Sequence, residues 1–154
     1  MKQKVDNSKK IRAISLHQPW AGAIALGIKT LETRPWATQV RGDLLICSTK
    51  KKVSELELPA NYELIYKNCS KEDKDILELQ GHAICIVEVV DCVGTNDPSF
   101  AKRTSKQTKN DFLWGNYNRN RYVWVTRNMR RVKPVPVRGA QGFYFVEKKL
   151  IKEA

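Results

Sequence analysis

The sequence predicts a single small domain of the α+β class, a mixed β-barrel of about six strands with short helices packed around it. Two observations predict this class. The chain has 154 residues, 42% hydrophobic and 29% charged, so it has the size and composition of one globular domain that buries roughly 68–70% of its unfolded surface. Short apolar stretches with strand character also recur between turn signals, and only a few helical stretches are inserted among them.

The first four elements are predicted in the amino-terminal third of the chain. Residues 12–16 predict a strand that must end at the following His-Gln-Pro, because the residue before a proline avoids the helical region. Residues 19–26 predict a short helix, since a proline suits its first position, apolar residues recur every three or four positions, and a glycine follows. Residues 29–34 and 43–48 predict two further strands of the same sheet.

The middle of the chain predicts two helices and a central strand. One helix is expected at residues 62–67, and a second at 70–79, where Ser70 has the character of an N-cap. Residues 82–93 are apolar on both faces, which predicts the longest strand of the sheet, covered on both sides. Glu88 interrupts that strand, so its carboxylate must be paired, protonated or near a cavity.

The carboxyl-terminal part of the chain predicts a loop and two strands. Residues 95–120 are polar and long for a structureless connection, with a turn of helix expected near 111–117. Strands are predicted at 122–126 and 142–147, and the Pro-Val-Pro at 134–136 predicts an extended linker between them.

The domain boundaries follow from these elements. We expect a basic tail at 1–10, one domain at 11–147, and a frayed tail at 148–154. The longest uncharged apolar run, 20–28, is far below the roughly 20 residues of a membrane span, so we expect no membrane contact. The amino terminus lacks the apolar middle region of a secretory signal, which favours a cytoplasmic location.

The cysteines predict no metal site and no disulfide. Cys47, Cys69, Cys85 and Cys92 contain no Cys-x-x-Cys pair, and the last two lie in or beside an apolar run. Their positions relative to the two histidines have no zinc-ligand spacing. We therefore expect buried free thiols, and neither a metal nor another cofactor.

The positive charge is concentrated in one segment. The chain carries 28 Lys and Arg against 16 Asp and Glu, a formal +12. Residues 99–138, called the basic segment below, contain a single acid, Asp111, and eleven cations: Lys102, Arg103, Lys106, Lys109, Arg119, Arg121, Arg127, Arg130, Arg131, Lys133 and Arg138. Aromatic residues alternate with these cations, as on surfaces that neutralise phosphates and stack bases. The alternative is a solvated loop whose aromatics, Trp124 above all, belong to the core.

The most informative motif is Gly27-Ile-Lys29-Thr-Leu-Glu32-Thr-Arg34, of the form Gly-x-Lys-x-x-Glu-x-Arg. In an extended chain, side chains alternate, so Glu32 and Arg34 share a face and can pair. Lys29 follows the turn after the helix and can swing to the same cleft. Together they would bind a phosphate or carboxylate and orient a polar edge. The alternative is a structural ion pair between helix and sheet.

We expect neighbouring residues to complete this ligand cleft. The candidates come from the first turn, the walls and the end of the third strand: His17, Gln18, Trp20, Lys29, Glu32, Arg34, Trp36 and Ser48. Several of them have ordinary alternatives, since Trp20 on the helix could belong to the core and His17 could cap a backbone group.

The motif and its surroundings resemble the ASCH family (activating signal cointegrator homology), whose domains have a PUA-like β-barrel fold. The resemblance covers about 11–147 and includes Ser15-Leu-His-Gln-Pro-Trp20, the motif, Arg41-Gly42-Asp-Leu-Leu-Ile, Val89-Val-Asp91-Cys92, Tyr122-Val-Trp124-Val and Gln141-Gly142-Phe143. It implies binding of RNA or other nucleic acid, with transcription coactivation and RNA processing as associated roles. Some relatives are hydrolases, namely ribonucleases and an amidohydrolase acting on N4-acetylated cytidine.

Three functions follow from these observations. The first is binding of RNA or single-stranded nucleic acid, by a monomer, with the basic segment on phosphates and the cleft on a base, nucleotide or chain end. The second is hydrolysis, with Lys29 as the reactive amine and Glu32 as acid or base; the amidohydrolase relatives have a threonine where Glu32 stands, and Glu88 is a candidate for their further acidic residue. The third is a protein-interaction or sensing domain whose cleft holds a nucleotide or modified nucleoside.

Overall fold

A computed structural model describes residues 7–154 as a curled six-stranded sheet with short helices packed on it. The strands are β1 (Lys10–Leu16), β2 (Leu31–Arg34), β3 (Gly42–Ser48), β4 (His82–Gly94), β5 (Tyr122–Pro136) and β6 (Tyr144–Glu147). The helices are α1 (Trp20–Ala25), α2 (Tyr62–Lys67), α3 (Lys71–Glu78) and α4 (Phe100–Arg103), and 3-10 turns occur at Asn7–Lys9, Glu55–Glu57 and Lys148–Leu150.

The sheet has the order β2-β5-β4-β3-β1-β6. β1 and β3 run parallel, and all other neighbours are antiparallel. The α+β class with six strands is confirmed, and the barrel is a half-barrel with β2 and β6 at its edges. Residues 1–6 of the predicted basic tail lie outside the described part of the chain. None of the helices within residues 7–154 has the length and apolar character needed to cross a bilayer.

β5 corrects two sequence predictions. With 15 residues it is longer than β4, with 13, which was expected to be the longest strand. It also continues through 134–136, where a linker was expected. Between Ala83 and Asp91, three shifts in the β4–β5 register let β5 bend with the sheet. The cations in its second half hide the strand pattern, because the exposed face of a strand tolerates charge.

The last residues of the chain are not a frayed tail, contrary to the sequence prediction. After the 3-10 turn, Glu153 forms a β-bridge with Val132 of β5. Lys133 N–H donates to the Lys152 carbonyl at 2.8 Å, and Ala154 N–H donates to the Arg131 carbonyl at 2.9 Å. These bonds fix residues 152–154 to the otherwise open side of β5.

Two apolar clusters lie on opposite faces of the sheet because strand residues alternate in direction. One cluster includes Ile14, Leu44 and Val87 and is covered by α1 and α3. The other includes Ala13, Leu45 and Val132. Trp124 is 1% exposed within the first cluster, so it belongs to the core, as the alternative interpretation of the aromatics proposed.

Helix α1 lies close to α3 and fixes the start of the motif. At Gly22 a Cβ would come within 2.5 Å of the Ile76 carbonyl oxygen, so only glycine allows this approach. Gly27, with φ of 72°, reverses the chain directly after the helix. Ser70 accepts a hydrogen bond from Asp73 N–H at 3.2 Å and caps α3, which confirms the predicted N-cap.

The loop after β4 differs from the expectation in one detail. Its one helical turn is α4 at Phe100–Arg103, whereas residues 111–117 form irregular turns. These turns pack against the motif, and they form part of the site described next.

Candidate ligand cavity

The Gly-x-Lys-x-x-Glu-x-Arg motif brings its three charged side chains together. β2 places the buried Leu31 and Thr33 on one face, and Glu32 and Arg34 on the other. Lys29 lies between α1 and β2. Its N–H donates to the carbonyl of Ala23 within α1. From there the Lys29 Nζ reaches to 3.6 Å from Glu32 Oε2, and Arg34 Nε lies 3.7 Å from Glu32 Oε1.

These side chains face a cavity of about 580 Å³, called the motif cavity. Its walls come from the motif, the end of β1, the start of α1 and two loops. It is lined by Ser15, Leu16, His17, Trp20, Lys29, Glu32, Thr33, Arg34, Pro35, Glu57, Leu58, Pro59, Ala60, Leu113, Trp114, Gly115, Asn116 and Arg121.

The charged groups of the cavity are desolvated but incompletely bonded. The side chain of Lys29 is 1% exposed and that of Glu32 is 13% exposed. Their separation is too long for a hydrogen bond, and Glu32 Oε2 and Arg34 Nε are buried atoms without a hydrogen-bond partner among the described residues. Leaving such an atom unpaired costs about 1–3 kcal/mol. A structural ion pair alone therefore leaves these two polar atoms without a hydrogen bond among the described residues.

Arg34 makes a second contact besides its ion pair with Glu32. Its Nη2 donates to the Ser15 carbonyl at 3.3 Å, which links β2 to the end of β1. Arg121 approaches from the loop on the other side. Its Nε donates to the Asn116 carbonyl at 3.0 Å, and its Nη2 to the Thr33 carbonyl at 3.4 Å.

Asp111, the single acid of the basic segment, anchors the loop to the motif. It is completely buried. Its Oδ1 accepts from the N–H groups of Thr30 and Leu31 at 2.8 and 2.9 Å, and its Oδ2 accepts from Thr30 Oγ1 at 3.0 Å and Thr108 N–H at 2.6 Å. These four bonds fix the backbone next to Lys29. Asp111 is thus a positioning residue that the sequence reading missed, although its isolation among eleven cations was a visible signal.

Trp114 forms part of the cavity wall and was also missed as a cleft residue. It is fully buried, and its Nε1 donates to Asn61 Oδ1 at 2.7 Å. Asn61 Nδ2 in turn donates to Asn110 Oδ1 at 3.0 Å. The loop 107–117 is therefore fastened both to the motif and to the residue preceding α2. Nothing in the local sequence signals this long-range contact.

The cavity brings together five of the eight predicted cleft residues: His17, Trp20, Lys29, Glu32 and Arg34. Trp20 is half-buried and lines the cavity rather than lying wholly in the core. His17 is exposed, and its Nδ1 lies 2.7 Å from Thr49 Oγ1.

The other three predicted cleft residues lie elsewhere, each for a packing reason. Gln18 is buried between helices: its Nε2 donates to the Ile76 and Leu79 carbonyls, and its Oε1 accepts from Gly22 N–H. Trp36 packs edge-on against Trp124 at 4.9 Å. Ser48 is buried and bonded to the backbone of His82.

Three arginines of the basic segment are already paired with acids from other parts of the chain. Arg103 binds both carboxylate oxygens of Asp91, at 2.6 and 2.8 Å. Arg127 binds Glu88 at 3.0 Å. Arg130 binds Asp43 at 2.9 Å and Glu153 at 3.4 Å. The charge that the sequence concentrates in this segment is thus partly neutralised in space.

The remaining predicted nucleic-acid contacts of this segment vary in exposure. Lys102, Lys106, Lys109, Arg119 and Lys133 are exposed, and Arg131 is half-buried with its Nε unpaired among the described residues. Of the eleven cations in the basic segment, Arg121 alone lines the motif cavity.

Glu88 is paired with Arg127 and Asn128 of β5. Its carboxylate accepts hydrogen bonds from Arg127 and from Asn128 Nδ2, and these bonds lower its pKa. It does not line the motif cavity. The sequence left three states open for this carboxylate, namely paired, protonated or near a cavity, and in the structure it is paired.

Burial keeps three further groups near the cavity and core neutral, namely Tyr117, Cys47 and Cys85. Burial raises the pKa of Tyr117, with further contributions from Asp111 and Glu32. Burial also raises the pKa of Cys85 to about 12 and that of Cys47 to about 11, so neither thiol ionises near neutral pH. Within residues 7–154 no group of three potential metal ligands occurs.

The family model described as ASCH domain matches residues 14–136, which includes the motif and most of the cavity. The chain belongs to the ASCH domain family. The identification from the motif is thereby confirmed.

Two curated relatives match part of this ASCH chain. Over 83 residues, it is 37% identical to Activating signal cointegrator 1 of Homo sapiens and 36% identical to that of Mus musculus. Each match covers 52% of this chain and 14% of the relative. The matched part is thus a small fraction of the length of these relatives.

Solved structures show the same fold. A mutant of ZmASCH from Zymomonas mobilis superimposes with a TM-score of 0.52 at 14% identity, covering 90% of this chain and 91% of that one. ASCH from Zymomonas mobilis gives 0.50 at 15% identity, covering 92% and 90%. At these identities the likeness shows the fold alone.

Proposed function

We propose that this ASCH domain binds single-stranded nucleic acid, RNA in particular, with one nucleotide in the motif cavity. The observation that carries the proposal is the ion-paired group of Lys29, Glu32 and Arg34 at one cavity, in which Glu32 Oε2 and Arg34 Nε lack a hydrogen bond among the described residues. Membership of the family supports it, because the resemblance found in the sequence implies nucleic-acid binding.

The size and chemistry of the cavity suit a nucleotide. A volume of about 580 Å³ lies within the roughly 300–1,000 Å³ of small-molecule sites. Glu32 can accept hydrogen bonds from an amino or imino edge of a base, as carboxylates do. Lys29, Arg34 and Arg121 supply donors for a phosphate or a carbonyl. The half-buried ring of Trp20 offers a surface against which a base can stack.

Binding of a labelled single-stranded RNA, followed by fluorescence anisotropy at low salt, tests this proposal. Glu32→Gln removes the charge of the unpaired acceptor with little change in shape, and we expect it to lower affinity about tenfold. Glu72→Gln, on exposed α3 surface, is the matched control and should leave affinity unchanged. Affinity should fall steeply with salt. Absence of binding to wild type at low salt would contradict the proposal.

A second candidate function is hydrolysis, favoured by the nearly complete burial of the Lys29 ammonium beside a carboxylate. Buried lysines in cavities serve as reactive amines or bases. Incubation with N4-acetylcytidine and with RNA tests it. Product formation by wild type but not by Lys29→Ala would establish turnover, and equal turnover by both would exclude Lys29. Glu32 stands where the amidohydrolase relatives have threonine, which weighs against acetylcytidine as substrate. Cytoplasmic location and a monomeric state stay predictions.

A further inference from the structure

A row of aromatic and arginine side chains leads away from the motif cavity. It consists of Arg34, Trp36, Phe143, Arg12 and Phe145, called the aromatic-arginine row. The Arg34 guanidinium lies 6.0 Å from the Trp36 ring, and that ring lies 5.7 Å from Phe143. The Arg12 guanidinium lies between the two phenylalanines, 5.7 Å from Phe143 and 5.4 Å from Phe145. Cations and rings therefore lie next to one another along one continuous row.

The row is built on the sheet and is not a set of loose side chains. Arg12 of β1 and Phe145 of β6 are directly paired residues, so their side chains project to the same face. Phe143 stacks at 5.5 Å on Trp124, which is 1% exposed. Packing on this buried ring holds the platform in place, which lowers the entropy cost of binding a ligand.

The rings of the row are exposed where a ligand could stack on them. Trp36 is 37% exposed and Phe145 is 42% exposed. Neighbouring apolar rings exposed together and rimmed by polar groups mark an interaction surface, whereas a single exposed ring does not. The half-buried Phe143 joins them into one strip.

Arg12 of the row differs in its ion pairing from three arginines of the basic segment. Arg12 has no acidic side chain within ion-pair distance among the described residues. Arg103, Arg127 and Arg130 are each held by carboxylates. An arginine that retains its charge between two rings can bind a phosphate while the rings stack bases.

We propose that a single strand held in the motif cavity continues along the aromatic-arginine row. Its bases stack on Trp36 and Phe145, and Arg12 neutralises its backbone. This proposal rests on the proposed function, since the strand enters the row from the cavity. Arg34 joins the two sites, because it lines the cavity and also lies over Trp36.

A length series of RNA separates this proposal from the proposed function. Wild type is titrated with a mononucleotide and with single strands of about four and eight nucleotides, within the usual footprint of such surfaces. Phe145→Ala and Arg12→Gln should each weaken binding of the longest strand about tenfold and leave mononucleotide binding unchanged. The matched controls are Leu64→Ala, an exposed apolar side chain at 57%, and Lys67→Gln, an exposed cation, both on α2 and outside the row and the basic segment.

The outcomes divide as follows. Loss in the row variants with no loss in the controls supports the path. Loss in the controls only, or equal loss of mononucleotide and strand affinity in the row variants, overturns it and leaves the cavity proposal intact. Wild-type affinity in all four variants also overturns it. Absence of all RNA binding by wild type overturns the proposed function itself.

Tryptophan fluorescence gives a second readout that does not depend on a loss of affinity. Stacking of a base on Trp36 should quench part of the intrinsic fluorescence when the strand is added. Trp36→Phe keeps an aromatic ring and should remove that part of the quenching. Unchanged quenching in this variant overturns the assigned path, because the signal would then come from Trp20 or from a buried tryptophan.

Discussion

The basic segment and the motif region differ in what their charges do. The basic segment holds eleven cations and one acid, but three of its arginines bind acids from elsewhere in the chain. The motif region is almost neutral in sequence, yet two of its buried polar atoms, Glu32 Oε2 and Arg34 Nε, belong to cavity-lining residues and have no hydrogen-bond partner among residues 7–154. Charge available to a ligand therefore depends on where opposite charges lie in space, and counting along the chain does not measure it.

The largest effect that would sharpen this comparison concerns Asp111, the residue that joins the two regions. Asp111→Ala leaves three backbone N–H groups and one hydroxyl without their acceptor in a buried place. We expect a loss of about 3–5 kcal/mol in the free energy of unfolding. Urea denaturation measures it, with the exposed Asp75→Asn as control, expected within about 0.5 kcal/mol of wild type. A loss below about 1 kcal/mol would show that the loop does not depend on this anchor.

A second prediction sets one arginine of each region against the other. Arg34→Ala removes a partly unbonded guanidinium from the cavity, and we expect RNA affinity to fall about tenfold. Arg130→Ala removes a guanidinium already bound to Asp43 and Glu153, so affinity should change less than about twofold. Anisotropy titrations at two salt concentrations compare them. Equal losses would restore the basic segment as the main binding surface.

The smallest expected effect concerns the ion pair between Arg103 and Asp91. Its bonds to Asp91 hold the pKa of that carboxyl below its ordinary 3.8. The resulting stabilisation is complete above the ordinary pKa and is lost as pH falls through the lower, folded pKa. The difference in free energy of unfolding between wild type and Asp91→Asn should therefore shrink below about pH 4, by less than about 1 kcal/mol because the pair is partly exposed.

Thermal unfolding between neutral and acidic pH measures this difference. Repeating the comparison in an Arg103→Gln background should abolish the pH dependence. If the dependence persists without Arg103, the carboxyl draws its stabilisation from Arg41 or the backbone instead.

Local patterns were sufficient for much of the fold. The alternation of residues 31–34 placed Glu32 and Arg34 on one face, and the structure has them so. The cap at Ser70 and the turn at Gly27 were also readable, because each depends on residues adjacent in sequence. The identification of Lys29, Glu32 and Arg34 as neighbours needed no long-range information.

What the sequence could not give depends on contacts between distant segments. Gln18, predicted in the cleft, bonds to α3 almost sixty residues away. Trp114, in the cavity wall, is held by its hydrogen bond to Asn61, and Arg103 is paired with Asp91. The second half of β5 was hidden because its partner is β4, whose register shifts break any simple alternation.

The pairing of residues 152–154 with β5 has a consequence for association between molecules. An unpaired strand edge presents backbone donors and acceptors without partners, and strands of other chains can pair with them. Here the backbone of Arg131 and Lys133 is already bonded to Ala154 and Lys152. The final residues thus occupy this edge of β5 and protect it from edge-to-edge aggregation. The prolines at 134 and 136 add to this protection, because they have no N–H to donate to an incoming strand.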